Sequence, residues 1–236
     1  MIKGQPLTAI IPVRGGSKGI PRKNLRRVGS DSLLERTIKF AKKAPRIDRI
    51  IVSTEDPEMH EIATRYCVQS PTIRPTHLAS DSATTAAVVR NVLQECNLSE
   101  GHILILQVTS PFRRLLDLEN LCTAYENEEA DAIVSLVAID EPRPEKLKRI
   151  VGGRIESYMD NGFEGPRQAL PQPYRLNGAF YMISLEAFHR EQRFVPKNTI
   201  PFLMADETSH NLDSMTDWNI MEAMIAARYW ALEEYE

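Results

Sequence analysis

Residues 14–24 read Arg-Gly-Gly-Ser-Lys-Gly-Ile-Pro-Arg-Lys-Asn and set four cations, Arg14, Lys18, Arg22 and Lys23, among three glycines. The stretch follows an apolar run, Leu7–Val13, which has the composition of a buried strand. In open α/β sheets ligands bind at the carboxyl ends of the strands, which is where this loop would lie. Glycines let the backbone come close to a ligand and aim N–H groups at it, and clustered Arg and Lys side chains bind phosphate oxygens. Such a loop suits a polyphosphate. It contains neither GxxxxGK[ST] nor GxGxxG, which argues against a P-loop kinase or NTPase and against a dinucleotide-binding turn. The alternative is a solvated basic turn whose glycines only shape the backbone.

The run Ile10-Ile11-Pro12-Val13-Arg14-Gly15-Gly16-Ser17-Lys18-Gly19-Ile20-Pro21-Arg22-Lys23-Asn24 resembles the signature of the acylneuraminate cytidylyltransferases, the CMP-sialic acid synthetases. The resemblance implies transfer of CMP from CTP to the anomeric hydroxyl of a nonulosonic acid (N-acetylneuraminate or a bacterial relative such as legionaminate), with release of pyrophosphate. It further implies a nucleotidyltransferase-like, Rossmann-like fold and a homodimer in which an arm of one subunit reaches the other's site. Arg14, Gly15, Gly16, Ser17, Lys18, Lys23 and Asn24 would then hold the nucleotide, with Arg14, Lys18 and Lys23 on the triphosphate.

Three later segments extend the resemblance. Arg74–Thr85 is similar to the family's RPxxLAsD segment, so Arg74 and Thr85 would contact the nucleotide. Read by itself, it is a polar loop entering a helix, whose start either binds an anion or is capped by Asp81 or Ser82. Gln107–Arg113 resembles QPTSPLR with Val108 in place of the first proline. Gln107 offers both a donor and an acceptor to a hydroxylated, N-acylated sugar, or is a strand-end glutamine satisfied by backbone. Pro166–Tyr181 resembles RQxLPxxYRxNGAxY, in which Arg167 and Arg175 could serve a sugar carboxylate and a phosphate through paired N–H donors, and the resemblance makes Asn177 a further contact to the sugar. Asn177-Gly178 is otherwise an ordinary turn before a strand. Lys146 stands where relatives have a lysine that the arm presents to the partner's site.

CTP chemistry calls for Mg²⁺ (or Mn²⁺) to neutralise phosphate charge. The family's D-x-D-x-x-x-D pattern falls on Asn211, Asp213 and Asp217, with an amide in the first position. Asp213 is the expected ligand. Asn211 and Asp217 are weaker candidates, and Ser214-x-x-Asp217 is also a helix-start motif. No side chain stands out as general base.

The elements that must position these residues alternate between short apolar runs and amphipathic helices. That is the pattern of an α/β protein with a mostly parallel sheet flanked by helices. Strands are predicted at Leu7–Val13, Arg49–Ser53, His102–Val108 and Ala132–Ala138, and helices at Ser32–Ala44, from Asp56–Pro57 to about Tyr66, and at Ala83–Cys96. Prolines punctuate the section from about 140 to 185, which reads as a small β-rich dimerisation arm with strand pieces at Arg154–Met159 and Ala179–Ile183. The last predicted helix, Ser214–Glu234, places Trp218, Met221, Ile225 and Tyr229 on one face. A single domain over residues 1–236 is expected.

Composition narrows the function classes. The chain has 29 Lys and Arg against 32 Asp and Glu, a formal charge of −3, so no global basic field recruits nucleic acid. The cationic pocket expected here is local, drawn from the loop and from Arg74, Arg113, Arg167 and Arg175. Cys67, Cys96 and Cys122 make no metal spacing and read as reduced buried thiols. No signal peptide or membrane-spanning run is evident, so a cytoplasmic address without membrane partners is expected. Two rivals remain: a CMP-Kdo synthetase-type enzyme with the same reaction and another sugar acid, and a non-catalytic nucleotide-sugar binding protein.

Overall fold

Leu7–Pro12 forms β1, buried from Leu7 through Ile11. A strand buried on both faces has no polar alternation, and its side chains divide between two cores. Ala9 and Ile11 pack with Leu33 and Leu34 on one side of the sheet, while Ile10 packs with Ile51, Val89 and Val92 on the other. The computed structural model describes residues 1–17, 19–71, 73–159 and 170–230.

A two-stranded ribbon, β2 (Arg27–Val28) and β3 (Asp31–Ser32), leads into α1 (Leu33–Lys43). Ser32 caps α1 in a full capping box: its Oγ accepts from Glu35 N–H at 3.2 Å, and Glu35 Oε2 accepts from Ser32 N–H at 2.9 Å. Then follow β4 (Arg49–Ser53), α2 (Pro57–Arg65), α3 (Thr85–Glu95), β5 (His102–Ile105), α4 (Leu115–Glu126) and β6 (Ala132–Ala138). A hairpin of β7 (Lys148–Val151) and β8 (Arg154–Ser157) precedes β9 (Tyr174–Ser184), α5 (Leu185–Glu191), β10 (Thr199–Leu203) and α6 (Met215–Ala226).

The central sheet has six strands in the order β10-β6-β9-β5-β1-β4. β1 runs parallel to β4 and β5, and β6 parallel to β10, whereas β9 is antiparallel to both neighbours. The mostly parallel sheet flanked by helices is the predicted architecture. Because β1, β4 and β5 run in one direction, the loops that leave them open on one edge of the sheet.

Four local expectations change. Ala179–Ile183, read as a piece of the β-rich section, is the interior of the eleven-residue β9 at the centre of the sheet. Asn177-Gly178 is accordingly not a turn before a strand. It lies within β9, next to a register shift between Val134 and Leu136, with Gly178 at φ +78°; positive φ is where glycine is favoured. α3 begins two residues later than predicted, with Thr84 Oγ1 as its cap to Ala87 N–H rather than Asp81 or Ser82. α6 stops at Ala226, and Arg228, at φ +56°, turns the chain away. Tyr229 is therefore exposed, while Trp230 stacks on Phe112 with ring centroids 4.2 Å apart.

The β7–β8 hairpin forms a sheet of its own and leaves Ile150 and Ile155 at 80% and 75% exposure. Of the three cysteines only Cys122 is buried, and Cys67, at the end of α2, is exposed. Among the described residues, no helix is long and apolar enough to cross a membrane.

Candidate active site

The loop after β1, the segment after β4 and the segment after β5 surround a cleft of about 370 Å³ at the carboxyl edge of the sheet. Its wall carries Arg14, Gly16, Ser17, Lys23 and Asn24 from the first loop, Arg74 and Thr85 from the approach to α3, and Gln107 from the loop after β5. Asp213, just before α6, completes it. Nine residues singled out from the sequence thus meet on one surface.

Each is held by identifiable contacts. Lys23 Nζ donates to Leu212 O at 2.5 Å and lies 3.3 Å from Asp213 Oδ1, which ties the first loop to a segment near the other end of the chain. Leu212 N–H in turn donates to Thr109 O at 2.9 Å, so the loop after β5 belongs to the same frame. Asn24 Nδ2 donates to Arg14 O at 2.9 Å and braces the loop internally. Gly19 packs so closely that an added Cβ would stand 2.1 Å from Asp213 O. Gly15 faces away from the cleft, where an added Cβ would meet Asp56 Oδ2 at 2.6 Å. Its glycine identity serves contact between the loop and the start of α2, and its N–H donates to Glu55 Oε1 at 2.7 Å.

The electrostatics correct the expectation of a concentrated cationic pocket. Arg14 is paired with Asp81 at 2.9 Å, Lys23 with Asp213, and Arg74 with Glu55 at 2.6 Å. Arg22 turns to Asp56 and Glu58. The cleft is lined by cation–carboxylate pairs, and an incoming polyanion must share or exchange these partners. Arg113 is not on the wall. It is buried beneath the loop after β5, where its NH2 donates to Ser110 O at 2.8 Å and to Gln107 O, and its burial pulls its pKa down to about 9.

The remaining sequence-chosen residues lie apart from this wall. Asn177 is buried within β9, accepts from Ser135 Oγ at 2.6 Å and donates to Ser209 Oγ at 2.9 Å. Gly178 beside it leaves room for the Gln107 amide, whose Oε1 is 2.5 Å from where a Cβ would stand. Arg175 is exposed on β9 opposite Val137. Lys146 is exposed and donates to Glu141 Oε1 at 2.8 Å. Asn211 accepts from Ser110 Oγ at 3.5 Å and donates to Asp213 Oδ2. Asp217 caps α6, accepting from Asp213 N–H, Ser214 N–H and Ser214 Oγ. Burial works to raise its pKa, but these hydrogen bonds outweigh it and hold the carboxyl below its ordinary value. Lys18 and Arg167 lie outside the described residues.

Sequence reasoning passed over Glu55 and read Asp81 only as a possible helix cap. Glu55 was legible in principle: Thr54-Glu55-Asp56 follows β4 directly, on the edge where the basic loop lies, but only Asp56 was noted, as a helix cap. Asp56 does cap α2, accepting from Glu58 N–H at 2.9 Å and Met59 N–H at 3.2 Å.

The chain is similar to a pseudaminic acid cytidylyltransferase of Campylobacter jejuni, 27% identical over 88% of this chain and 91% of that one. It is also similar to a CMP-N,N'-diacetyllegionaminic acid synthase of Legionella pneumophila, 26% identical over 96% and 99%. In fold it is similar to a CMP:2-keto-3-deoxy-manno-octonic acid synthetase solved with CTP, with a TM-score of 0.68 and 14% identity over 94% of this chain and 99% of that one. The family model described as cytidylyltransferase matches residues 8–195. That match spans the sheet strands from β1 to β9 and every wall residue of the cleft except Asp213, and on it the chain belongs to the cytidylyltransferase family.

Proposed function

We propose that the protein transfers CMP from CTP to the anomeric hydroxyl of a nonulosonic acid. The anomeric oxygen attacks the α-phosphorus, the α–β phosphoanhydride bond breaks, and pyrophosphate leaves. The hydroxyl proton passes to solvent or to a base that no side chain of the cleft singles out. One observation carries the reading: nine residues chosen for this chemistry, from four separated segments, converge on one cleft. Supporting it are relatives over nearly the whole chain that are a pseudaminic acid cytidylyltransferase and a CMP-N,N'-diacetyllegionaminic acid synthase.

Arg14 and Lys23 would bind the triphosphate, Lys23 being held in place by Leu212 O before the nucleotide arrives. Preorganised charge aimed at the phosphates and in-line placement of the hydroxyl supply most of the rate in reactions of this kind. Gln107 would face the sugar acid, whereas Arg175 lies off the wall on β9. A divalent cation such as Mg²⁺ supplies charge neutralisation at the phosphates when bound. The donor set fits one: Asp213 offers an exposed carboxylate on the wall, and Mg²⁺ is commonly held by one or two carboxylates with phosphate oxygens and waters as the rest. Asn211 would add an amide oxygen but no charge.

The reading extends to a cytoplasmic homodimer, where CTP is at hand. Support for the dimer is the β7–β8 hairpin, whose exposed Ile150 and Ile155 give a partner subunit an apolar surface, with Lys146 close to its base. Pyrophosphate release tests the proposal. It is expected with CTP and a nonulosonic acid together and not with either alone; release with Kdo in place of every nonulosonic acid, or with none of them, would reject it.

A further inference from the structure

We infer that Glu55 is a positioning residue that brackets the phosphate-binding loop to the nucleotide-contacting arginine, so that the cleft presents both in a fixed relation to CTP. This rests on the proposed function. Glu55 follows β4 and sends its two carboxylate oxygens in different directions. Oε1 accepts from Gly15 N–H in the loop after β1 at 2.7 Å, and Oε2 accepts from Arg74 NH2 at 2.6 Å. A carboxylate is acceptor-only and offers a lone pair to each of these donors, whereas an amide would turn its NH2 toward one of them.

The arginine is buried to 4% exposure, and its guanidinium would be costly there without a counter-charge. Its backbone N–H donates to Thr54 O at 2.8 Å, and its NH2 also donates to Val13 O at 2.7 Å. Val13 and Gly15 flank Arg14, so Arg74 and Glu55 together grip the start of the loop from both sides. The next residue, Asp56, packs against Gly15 and pairs with Arg22, extending the grip along the back of the loop. Glu55 itself is not on the cleft wall, whereas Arg14, Gly16 and Arg74 are. A group that touches both sides of the nucleotide site from behind acts through them rather than on the substrate.

Two physical effects oppose each other when this carboxylate is removed. An anion near the phosphate site repels the triphosphate, so its loss could tighten binding. Its loss also frees a buried guanidinium and unfastens the loop amide. The second effect wins by the geometry, because both oxygens are engaged and the pair with Arg74 already cancels the negative charge.

The test uses the full chain and Glu55→Gln, with Glu55→Asp as a second variant whose shorter side chain reaches only one partner. Steady-state KM for CTP is expected to rise about 10- to 100-fold in Glu55→Gln, the scale for losing a hydrogen bond to a charged group. The KM for the sugar acid and the turnover at saturating CTP should stay within about threefold, a split that general loss of structure would not produce. Unchanged KM for CTP, an equal rise for both substrates, or tighter CTP binding would each overturn the inference; the last would make Glu55 a placeholder for phosphate. If Glu55→Gln does not fold, Glu55→Asp is read by the same criteria. If the wild-type chain turns over none of the sugar acids, the proposed function fails alone, and calorimetric CTP affinity in wild type and variant decides for Glu55: weaker binding upholds the bracket, and equal or tighter binding removes it.

Discussion

Lys23 and Asp213 meet across 190 positions of sequence: Nζ lies 3.3 Å from Oδ1 and donates to the carbonyl of Leu212. The contact joins the first loop of the domain to the segment that starts its last described helix. The cation proposed for the triphosphate and the carboxylate proposed for a metal are thereby placed side by side. With only 12% of its side chain exposed, Lys23 is anchored rather than free in solvent.

Replacing Lys23 by Ala should remove the cation while leaving the fold. The expected drop in kcat/KM is about 10²- to 10³-fold, the scale of losing one preorganised charge donor at a reacting phosphate. The melting temperature should fall by only about 2–4 °C, since a single hydrogen bond contributes about 1 kcal/mol. Stopped pyrophosphate assays and differential scanning calorimetry read the two effects separately. Full activity in the variant would remove Lys23 from the site.

Asn211→Asp restores a second carboxylate beside Asp213, to which the Asn211 amide now donates. Two adjacent carboxylates repel each other unless a cation lies between them. The variant should melt lower than wild type in EDTA and regain stability on adding Mg²⁺. Its activity should reach half-maximum at a lower Mg²⁺ concentration, whereas Asp213→Asn should need more. Identical Mg²⁺ titrations for all three proteins would take the metal away from this segment.

Asp217 makes a pH-dependent contribution to stability. Its native pKa lies below the ordinary carboxylate value, so its stabilisation is present above about pH 4 and is lost as pH falls through the lowered native value. Asp217→Ala should cost about 1–2 kcal/mol at pH 7, the range for removing a helix cap. The gap in melting temperature between wild type and variant should close as the pH is taken below 4. A gap that is constant with pH would mean that the side chain acts by packing instead.

How much of this was legible follows from how local each feature is. The α2 cap at Asp56-Pro57 and the basic glycine loop are written in adjacent residues, and both stand where the sequence put them. The strand cores were readable because β1 and β6 are apolar almost throughout, broken only by Thr8 and Ser135. What failed depended on partners far away in sequence. Nothing in Tyr174–Ser184 announces that it enters the sheet between β5 and β6 in the opposite direction, and so Asn177-Gly178 read as a turn. Arg74 and Arg113 are both buried arginines in loops, yet one reaches the cleft wall and the other lies beneath the Gln107 loop. Side-chain type does not say on which side of the loop a residue falls. Nor did the net charge reveal that the cleft's cations are paired one by one with carboxylates.

Gly178→Ala tests the link between β9 and the side of the cleft at Gln107, where the sugar acid is proposed to bind. Its φ of +78° disfavours a side chain, and the new Cβ would stand 2.5 Å from Gln107 Oε1. The variant should lose about 1–2 kcal/mol of stability. Its KM for the sugar acid should rise several-fold while its KM for CTP stays near wild type. A rise confined to CTP would assign Gln107 to the nucleotide side.

The central claim is that a phosphodiester forms between CMP and the anomeric oxygen of a nonulosonic acid. Purified protein incubated with CTP, Mg²⁺ and, in separate reactions, N-acetylneuraminic, legionaminic and pseudaminic acids can be followed by ³¹P NMR, with product masses taken by mass spectrometry. The account predicts one new phosphodiester resonance and a CMP-linked mass, formed in step with pyrophosphate, for at least one of the three acids. Pyrophosphate and a CMP-linked product with Kdo alone, or unreacted CTP in every tube, would contradict it.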